Sequence, residues 1–511
     1  MQPEYRQPVA DYPRVHSSYR GSRTAYLDGD NACSYAELDR RSSQIANALI
    51  AAGCNPGDRV AFMGVNSGSF VEAFFGACKA RTVYVGINWR LTAAELGHIL
   101  GDASPALIFC DPEFVPLVEG LQAQVPSLRT IVRSEATAFR AWREQFSAED
   151  PQLHHLPDDG IIQFYTSGTT GKPKGVVITN RAMGEHRRGE DGFGSWYLRS
   201  DGHEVTINAM PNFHIGGLGW LLISLFRGAT VVLMPAPDPA HFLDLIERHR
   251  VSHLFAVPVV LGMMVAEQKK RPRNLASLKV LHYGSSSIAP ALLREALTVM
   301  KCGFAQYYGM TETIGSVTVM SPQEHDPDNP ARLKSCGRAV PGAEIGIRDP
   351  EGRELPANSA GEIWVRTDSI MREYWNLPGA TAEAFSQGWY RSGDGGYLDE
   401  DGYLYMADRI RDMIISGAEN IYPMEVENAL YEHPAVAEVA VIGVADEKWG
   451  EAVKAVIVPA SGETLTGDTL IAFLRERLAG YKIPRIYQFV SELPRTPSGK
   501  IQKYRLREQP R

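Results

Sequence analysis

The segment 166–175 carries the densest set of groups that could bind phosphate. It reads Thr-Ser-Gly-Thr-Thr-Gly-Lys-Pro-Lys-Gly and follows the apolar run 161–165. Glycines let backbone N–H groups approach phosphate oxygens, hydroxyls donate hydrogen bonds, and lysines offset negative charge. A Walker A loop would need a glycine where Thr166 stands. We therefore predict a short buried strand followed by a polyphosphate-binding loop outside the common nucleotide-hydrolase fold.

Three further clusters combine side chains that suit a nucleotide. Residues 307–313 (Tyr-Tyr-Gly-Met-Thr-Glu-Thr) offer a ring for stacking on a base, a hydroxyl for phosphate and a carboxylate for Mg²⁺. Asp394 lies among glycines in 390–396, and a carboxylate can accept from both ribose hydroxyls. Lys500 ends the segment 494–500. Taken singly, these clusters are more typical of a turn, an Asp-Gly hairpin and a solvated lysine than of a binding site.

Composition restricts the class of protein. Lys plus Arg is 52 and Asp plus Glu is 60, a net charge of −8, which argues against a general nucleic-acid binder. The six cysteines are widely spaced without a C-x-x-C pair, which predicts reduced thiols and no zinc site. No apolar run approaches the length of a membrane span. We expect a soluble, cytoplasmic protein without a transmembrane segment, and its oligomeric state, a homodimer included, stays open.

The elements that must position these clusters follow a βαβ rhythm. A helix is predicted after the capping residue Ser34, and a second helix at 70–80. Strands are predicted at 59–63, 82–85, 106–110, 251–256 and 278–283. This alternation predicts an α/β fold with a largely parallel, covered sheet.

A change in texture near residue 335 predicts more than one domain. At 511 residues the chain is too long for one ordinary core. We predict a large N-terminal domain of βαβ-type sheets over 1–407, with a small β subdomain at about 335–405. The charged segment 408–412 is the predicted hinge, and 413–511 is a small, mobile α+β C-terminal domain.

Taken together and in this order, the clusters resemble the adenylate-forming superfamily, specifically its acyl-CoA synthetases, over nearly the whole chain. The resemblance implies catalytic roles for Lys500, Glu312 and His214, and a Mg²⁺ site at Glu312 and Thr166. It also implies binding roles toward ATP or CoA for Thr166, Ser167, Gly168, Thr169, Thr170, Gly171, Lys174, Ser285, Tyr308, Gly309, Met310, Thr311, Asp394, Arg409, Gly417 and Trp449.

The implied reaction has two steps and uses ATP, Mg²⁺ and CoA with a small carboxylic acid. The acid's carboxylate attacks the ATP α-phosphorus, giving acyl-AMP and pyrophosphate, with Lys500 bridging the two anions. The C-terminal domain then turns about the hinge at Arg411 and brings up the segment 416–423, and the CoA thiol attacks acyl-AMP. His214 would separate the acyl pocket from the thiol tunnel, although a lone histidine is also typical of a core.

Two departures from the family pattern leave the acid open. In the family pattern, the segment that forms the wall of the adenine and acyl site is less polar than Gly284-Ser285-Ser286-Ser287 here. Ala418 occupies a position that is glycine in the family pattern. We predict an apolar acid, medium- to long-chain or related, although Trp220 could equally cap the groove for a small acid. The alternative is a stand-alone aryl or amino-acid adenylating enzyme that delivers to a carrier protein. A luciferase-like oxygenase and an inactive nucleotide sensor are weaker alternatives.

Overall fold

A computed structural model describes the backbone of most of the chain. The described residues are 7–167, 173–192, 203–409, 412–416, 419–446, 449–460, 462–463, 465–495 and 501–508.

Fifteen α-helices lie in the described part of the chain. They are α1 Asp11–Arg20, α2 Tyr35–Ala51, α3 Gly68–Lys79, α4 Ala93–Ala103, α5 Val115–Gln122, α6 Ala136–Arg143, α7 Asn180–Gly192, α8 Ile215–Arg227, α9 Pro239–His249, α10 Pro258–Lys270, α11 Pro290–Met300, α12 Pro378–Ala384, α13 Pro423–Tyr431, α14 Gly467–Arg475 and α15 Lys503–Glu508.

Twenty-six strands lie in the same described residues. They are β1 Thr24–Asp28, β2 Asn31–Ser34, β3 Arg59–Met63, β4 Val83–Ile87, β5 Leu107–Cys110, β6 Thr130–Arg133, β7 Gly160–Ser167, β8 Pro173–Thr179, β9 Val205–Asn208, β10 Thr230–Leu233, β11 His253–Ala256, β12 Val280–Gly284, β13 Gly303–Met310, β14 Gly315–Met320, β15 Arg338–Ala339, β16 Ala343–Arg348, β17 Gly361–Thr367, β18 Glu373–Tyr374, β19 Phe385–Ser386, β20 Trp389–Leu398, β21 Leu404–Arg409, β22 Ile414–Ser416, β23 Glu419–Ile421, β24 Val436–Asp446, β25 Gly450–Pro459 and β26 Ile486–Phe489.

Two large, mostly parallel sheets form the N-terminal part. The first has nine strands in the order β15-β14-β13-β12-β11-β9-β10-β1-β2, and the second has seven in the order β18-β8-β7-β4-β3-β5-β6. Pairing is parallel in the middle of both sheets and antiparallel at β13–β14, β14–β15, β1–β2, β7–β8 and β8–β18. The α/β fold class with largely parallel sheets is confirmed.

One hydrophobic core joins the two large sheets. Phe62 of the second sheet and Val231 of the first belong to the same buried cluster as Phe74 of α3 and Leu222 of α8. Every residue of α3 except Ser69 is buried. Most of the helix is apolar, and its two charged residues, Glu72 and Lys79, are ion-paired. The two large sheets therefore pack through one shared core.

The predicted helix after Ser34 is confirmed with its cap. The Ser34 hydroxyl accepts from the backbone N–H of Glu37 (3.2 Å), and the Glu37 carboxylate accepts from the backbone N–H of Ser34 (2.9 Å). This reciprocal pair satisfies two donors that the first turn of a helix leaves open.

Two smaller sheets follow. The third sheet has the order β16-β17-β20-β19, with β21 pairing β20, and the fourth has the order β23-β22-β25-β24, with β26 pairing β25. The fourth sheet has buried clusters built only from residues after 413, such as Val441, Ile457 and Leu470. We keep the limits 408–412 for the hinge as a proposal.

Two further sequence expectations bear on the environment of the chain. All six cysteines are unpaired, and five of them are buried. Across the described residues, no helix combines the length and apolarity that a membrane crossing requires.

Candidate active site

The predicted phosphate loop joins two antiparallel strands. Thr166 at the end of β7 lies opposite Lys174 of β8, and Ser167 lies opposite Pro173. In a Walker A motif the loop is followed by a helix, whereas here it is followed by the strand β8. The structure therefore agrees with the absence of the Walker A residue order. The loop residues between them, including the predicted Gly168, Thr169, Thr170 and Gly171, lie outside the described residues, as does the side chain of Ser167.

The base of this hairpin is tightly packed. A Cβ on Gly175 would lie 2.8 Å from Nε2 of Gln163 and 3.2 Å from the Tyr165 ring. The Lys174 ammonium lies 4.9 Å from the ring centroid of Tyr374. A cation over an aromatic face is held by the ring's quadrupole, so Lys174 has a defined position beside the loop.

Tyr308 and Asp394 come from different sheets and meet. Tyr308 lies in β13, and its hydroxyl donates to Oδ2 of Asp394 in β20 (3.0 Å). Burial, together with the negative charge of Asp394, raises the pKa of Tyr308 well above its usual range, so the phenol stays a donor. Asp394 is a strand residue here and not part of the hairpin turn that its glycine neighbours favour.

Arg409 is placed beside Asp394 by the third sheet. The two residues are direct partners of the antiparallel pair β20–β21. Adjacent strands put such partners within reach of one ligand. These residues are fifteen positions apart in the sequence, and the pairing of β20 with β21 brings them together. The side chain of Arg409 lies outside the described part.

Glu312 lies in a tight turn between β13 and β14. Gly309 starts the turn, and a Cβ there would lie 1.7 Å from the carbonyl oxygen of Gly315, so no other residue fits. The backbone N–H of Met310 donates to Oγ1 of Thr313 (3.1 Å), and the Thr311 carbonyl accepts from the N–H of Ile314 (3.0 Å). These bonds hold the segment that presents Thr311 and Glu312.

Ile314 gives this turn an unusual backbone. Its φ is +63°, in the left-handed region that β-branched residues avoid, and its side chain is buried. Such conformations persist only where the surroundings impose them, and they are concentrated at functional sites.

Tyr374 is a site residue that the sequence reasoning missed. Its hydroxyl donates to Oε1 of Glu312 (2.9 Å) and lies 3.4 Å from the hydroxyl of Tyr390. Burial first, and then the charge of Glu312, raises the pKa of Tyr374, so its hydroxyl remains protonated. Nothing local in Arg372-Glu373-Tyr374-Trp375 distinguishes it, because its polar partner is 62 positions away.

The donor set around Glu312 suits a magnesium ion that arrives with a nucleotide. In the described part of the chain there is no group of three or more histidine, cysteine or acidic residues that could hold a metal alone. Mg²⁺ typically takes one or two carboxylates and completes its shell with phosphate oxygens and water. One anchored carboxylate beside Thr166 and Lys174 fits that pattern.

His214 directly precedes α8, whose first turn lies beside the polar wall 284–287. Gly217 fixes the turn there, because a Cβ would lie 2.1 Å from the carbonyl oxygen of Pro211. A Cβ on Gly216 would lie 3.6 Å from Oγ of Ser285, so the first turn of α8 meets this wall. Ser285 is exposed and has a φ of +68°, a conformation that glycine would adopt without strain.

Trp220 occupies the space between α8 and the first sheet. Its indole N–H donates to Oγ1 of Thr206 (2.9 Å) and to the carbonyl of Ile207 (3.1 Å). The centroid of its ring lies 4.8 Å from that of His282 and 6.0 Å from that of Phe255. These contacts fix the position of the indole in the second turn of α8.

The C-terminal region touches the same polar wall. The Ser287 hydroxyl donates to the sulfur of Met424 (3.0 Å), just after the predicted 416–423 segment. Trp449 precedes β25, and its ring carries the Arg485 guanidinium at 4.5 Å. Arg411, Gly417 and Lys500 lie outside the described residues. Arg495 and Ile501, which flank the segment 496–500 in the sequence, form an antiparallel bridge.

Family models match most of the chain. The model for "AMP-binding enzyme" matches residues 14–375, and the model for "AMP-binding enzyme C-terminal domain" matches residues 425–500.

Relatives and solved structures match over nearly their whole lengths. A fatty acid–[acyl-carrier-protein] ligase, ScoC, from Streptomyces coeruleorubidus is 41% identical over 503 residues, 98% of this chain and 96% of that protein. A feruloyl-CoA synthase from an Amycolatopsis species is 38% identical over 514 residues, 98% of this chain and 99% of that protein. The crystal structure of ATP-bound MatB from Rhodopseudomonas palustris superposes with a TM-score of 0.91 at 29% identity, covering 98% and 99% of the two chains.

Proposed function

The chain belongs to the AMP-binding enzyme family as an AMP-forming acid–thiol ligase, and we propose that its substrate is an apolar acid of medium or long chain length. ATP, the acid and CoA are the co-substrates of this reaction class. The AMP-forming part of the proposal rests on two contacts: the Tyr308 hydroxyl donates to Asp394, and Tyr374 contacts both Glu312 and Lys174. Lys174, Tyr308 and Asp394 lie in three different sheets, and we propose that they bind one ATP molecule together.

The first half-reaction places the acid's carboxylate against the α-phosphorus of ATP. Asp394 and Arg409 would hold the ribose, Tyr308 the adenine, and Thr166 with Lys174 the departing pyrophosphate. Bound Mg²⁺ would supply charge neutralisation on the polyphosphate. Lys500 would bridge carboxylate and α-phosphate oxygens, since two anions must approach each other before the new P–O bond can form.

The second half-reaction transfers the acyl group to the thiol of CoA, releasing AMP. The contact of Ser287 with Met424 supports an arrangement in which the 416–423 segment faces the wall beside His214. Gly417 and Trp449 would then lie on the side from which the thiol arrives. Domain rotation at 408–412 would let one site serve both half-reactions.

Trp220 bears most directly on the choice of acid. Its indole is fixed between α8 and the first sheet, and we propose that an acyl chain ends at this indole or runs alongside it. Ile215 and Trp220 of α8 are apolar and only partly buried, which supports a hydrocarbon substrate. The name of the carrier-protein ligase includes "fatty acid", and we extend that class to this chain as a proposal.

The specific alternative is delivery of the acyl group to a carrier protein. It is favoured by the 41% identical relative whose name specifies an acyl-carrier-protein acceptor. Both acceptors present the same phosphopantetheine thiol, so the site near His214 does not distinguish them. The feruloyl-CoA synthase relative supports an aryl acid as the alternative substrate class.

A screen of pyrophosphate release tests this proposal. Linear acids of two to eighteen carbons, branched acids and aryl acids are each supplied with ATP and Mg²⁺, and with CoA, a phosphopantetheinylated carrier protein or no thiol. We expect the highest kcat/KM with a linear acid of eight or more carbons, and turnover with CoA. Preference for an aryl acid, or turnover only with the carrier protein, would replace the proposal with its alternative.

A further inference from the structure

A short edge strand connects the phosphate loop to the turn that holds Glu312. We call Met371–Trp375 the strap; it contains β18, which pairs with β8 at the edge of the second sheet. The N–H of Met371 donates to the carbonyl oxygen of Glu312 (2.7 Å), and the N–H of Trp375 donates to the carbonyl oxygen of Gly175 (2.7 Å). The strap thus bonds to the backbone of both elements.

The side chain of Tyr374 repeats this connection. It is only 7% exposed, its hydroxyl donates to Oε1 of Glu312 (2.9 Å), and the Lys174 ammonium lies over its ring. A tyrosine has two side-chain torsions, and here the ring face and the hydroxyl each have a charged partner. One buried residue therefore fixes an anion and a cation that belong to different motifs.

The far end of the strap is anchored independently. The indole N–H of Trp375 donates to the carbonyl of Asp102 (3.1 Å), and the Arg59 guanidinium stacks on its ring at 3.4 Å. Tyr165, next to the phosphate loop, donates to the Asp102 carboxylate (2.6 Å). These contacts hold the strap against the second sheet, so the position of Tyr374 is set by a rigid element.

We propose that Tyr374 is a positioning residue of the adenylation half-reaction, whose hydroxyl orients Glu312 and whose ring orients Lys174 toward the polyphosphate of ATP. The inference rests on the proposed function, because it assumes that Glu312 and Lys174 meet that polyphosphate. A hydrogen bond to one carboxylate oxygen restricts the rotation of the group and leaves lone pairs for a cation. Removing the hydroxyl would let the carboxylate turn, and a hydrogen bond to a charged group is strong enough for the loss to be measured.

The test is binding without turnover. Mn²⁺ is titrated by electron paramagnetic resonance into the full chain with α,β-methylene-ATP, which cannot release pyrophosphate. Tyr374→Phe keeps the ring over Lys174 and removes only the hydroxyl. We expect Mn²⁺ to bind about ten-fold more weakly than in the wild type. Tyr374→Leu also removes the ring, and we expect the analogue itself to bind more weakly as well.

Tyr84→Phe is the matched control. Tyr84 is 1% exposed, and its hydroxyl has no hydrogen-bond partner among the described residues. This variant removes a buried phenol hydroxyl from the same sheet without touching Glu312, so Mn²⁺ binding should match the wild type. Thioester formation from pre-made acyl-AMP gives a second readout, and Tyr374→Phe should retain it.

Two results would overturn the inference. Wild-type Mn²⁺ binding in Tyr374→Phe would show that the hydroxyl does not orient the carboxylate. Wild-type binding in Glu312→Gln would remove the role of Glu312 on which that of Tyr374 depends, and this result does not require the tyrosine variants to fold. Failure of adenylation, on which the inference rests, is distinguishable because the wild type itself would then release no pyrophosphate with any acid.

Discussion

Two carboxylates of the site each accept a hydrogen bond from a tyrosine, one partly buried (Tyr308) and one buried (Tyr374). Tyr308 donates to Asp394, and Tyr374 donates to Glu312. Burial raises the pKa of both phenols, so both hydroxyls stay donors over the working pH range. The carboxylates are therefore aimed before any ligand arrives, which lowers the cost of ordering the bound nucleotide.

Lys500→Ala separates the two half-reactions at the residue scale. A lysine that bridges two anions matters only while the carboxylate approaches ATP, so the variant should lose about 100-fold or more in acyl-AMP formation. Thioester formation from pre-made acyl-AMP should stay within about three-fold of the wild type. Rapid-quench measurement of each half provides the comparison, and an equal loss in both halves would remove the assigned role.

Trp220→Leu tests the limit on acyl length. The smaller side chain opens the space beside His282 and Phe255, and each added methylene that gains contact there is worth about 1 kcal/mol. We expect the optimum of kcat/KM to move to longer acids by two or more carbons. Trp142→Leu is the control, because that indole packs on Phe109 and Phe139, away from α8. An unchanged profile in Trp220→Leu would show that the chain runs elsewhere.

Local sequence patterns predicted the residues whose chemistry is visible in a short segment. Lys174, Glu312 and Asp394 stand among glycines and hydroxyls that together indicate a nucleotide. Tyr374 could not be predicted in this way, since its role depends on an edge strand that crosses to a partner 62 positions distant. The conformations of Ile314 and Ser285 were equally hidden, because positive φ at such residues is imposed by surrounding structure.

At the scale of elements, the turn between β13 and β14 has the strictest steric requirement. Gly309 has no room for a Cβ, since its backbone approaches the carbonyl of Gly315. The same turn presents Thr311 and Glu312, so a change in the backbone of the turn would also displace these two side chains.

Gly309→Ala tests this requirement against a permissive glycine. A Cβ at 1.7 Å from a backbone oxygen forces the two strands apart, and we expect a loss of about 3 kcal/mol in unfolding free energy. Gly101→Ala in α4 meets nothing within 4 Å and should stabilise by about 0.5–1 kcal/mol. Urea unfolding of both variants measures the difference, and similar stabilities would contradict the steric argument.

The elements themselves were predicted unevenly. The capped start of α2 and the strand Arg59–Met63 are confirmed, because capping and apolar patterning are local. Other limits differ by a few residues; the helix predicted at 70–80 is Gly68–Lys79. The antiparallel pairing of β8 with β7 was not predicted, since the position of β8 between β7 and β18 depends on tertiary pairing.

At the scale of the whole molecule, the two large sheets share a core, and the fourth sheet has its own. Contacts such as Ser287 with Met424 connect the two regions. This distribution suits a body that keeps the nucleotide site assembled while a smaller region changes position. Sequence indicates the separate regions by a change of texture but does not indicate how they dock, because that depends on surfaces far apart in the chain.

Buried histidines predict a pH dependence of stability. Burial lowers the pKa of His16 and of His325 to about 4. The unfolded chain, with histidine pKa values near 6.5, then binds more protons below that pH, so stability is full above pH 6.5 and falls toward pH 4. We expect each histidine to cost about 1–2 kcal/mol between pH 7 and pH 5.

Urea unfolding of the N-terminal region at pH 7, 6 and 5 measures this effect. His325→Gln should show a smaller decrease than the wild type over the same interval, since one titrating group is gone. An identical decrease in variant and wild type would show that His325 is not responsible.

The most direct test of an acyl-AMP intermediate follows the oxygen atoms of the acid during the reaction. The acid that gives the fastest pyrophosphate release is labelled with ¹⁸O in its carboxylate and supplied with ATP, Mg²⁺ and CoA. Because the carboxylate oxygen attacks the α-phosphorus, we predict equal amounts of acyl-CoA, AMP and pyrophosphate, with one ¹⁸O in AMP and none in pyrophosphate. Formation of ADP, or label in inorganic phosphate, would contradict an acyl-AMP intermediate.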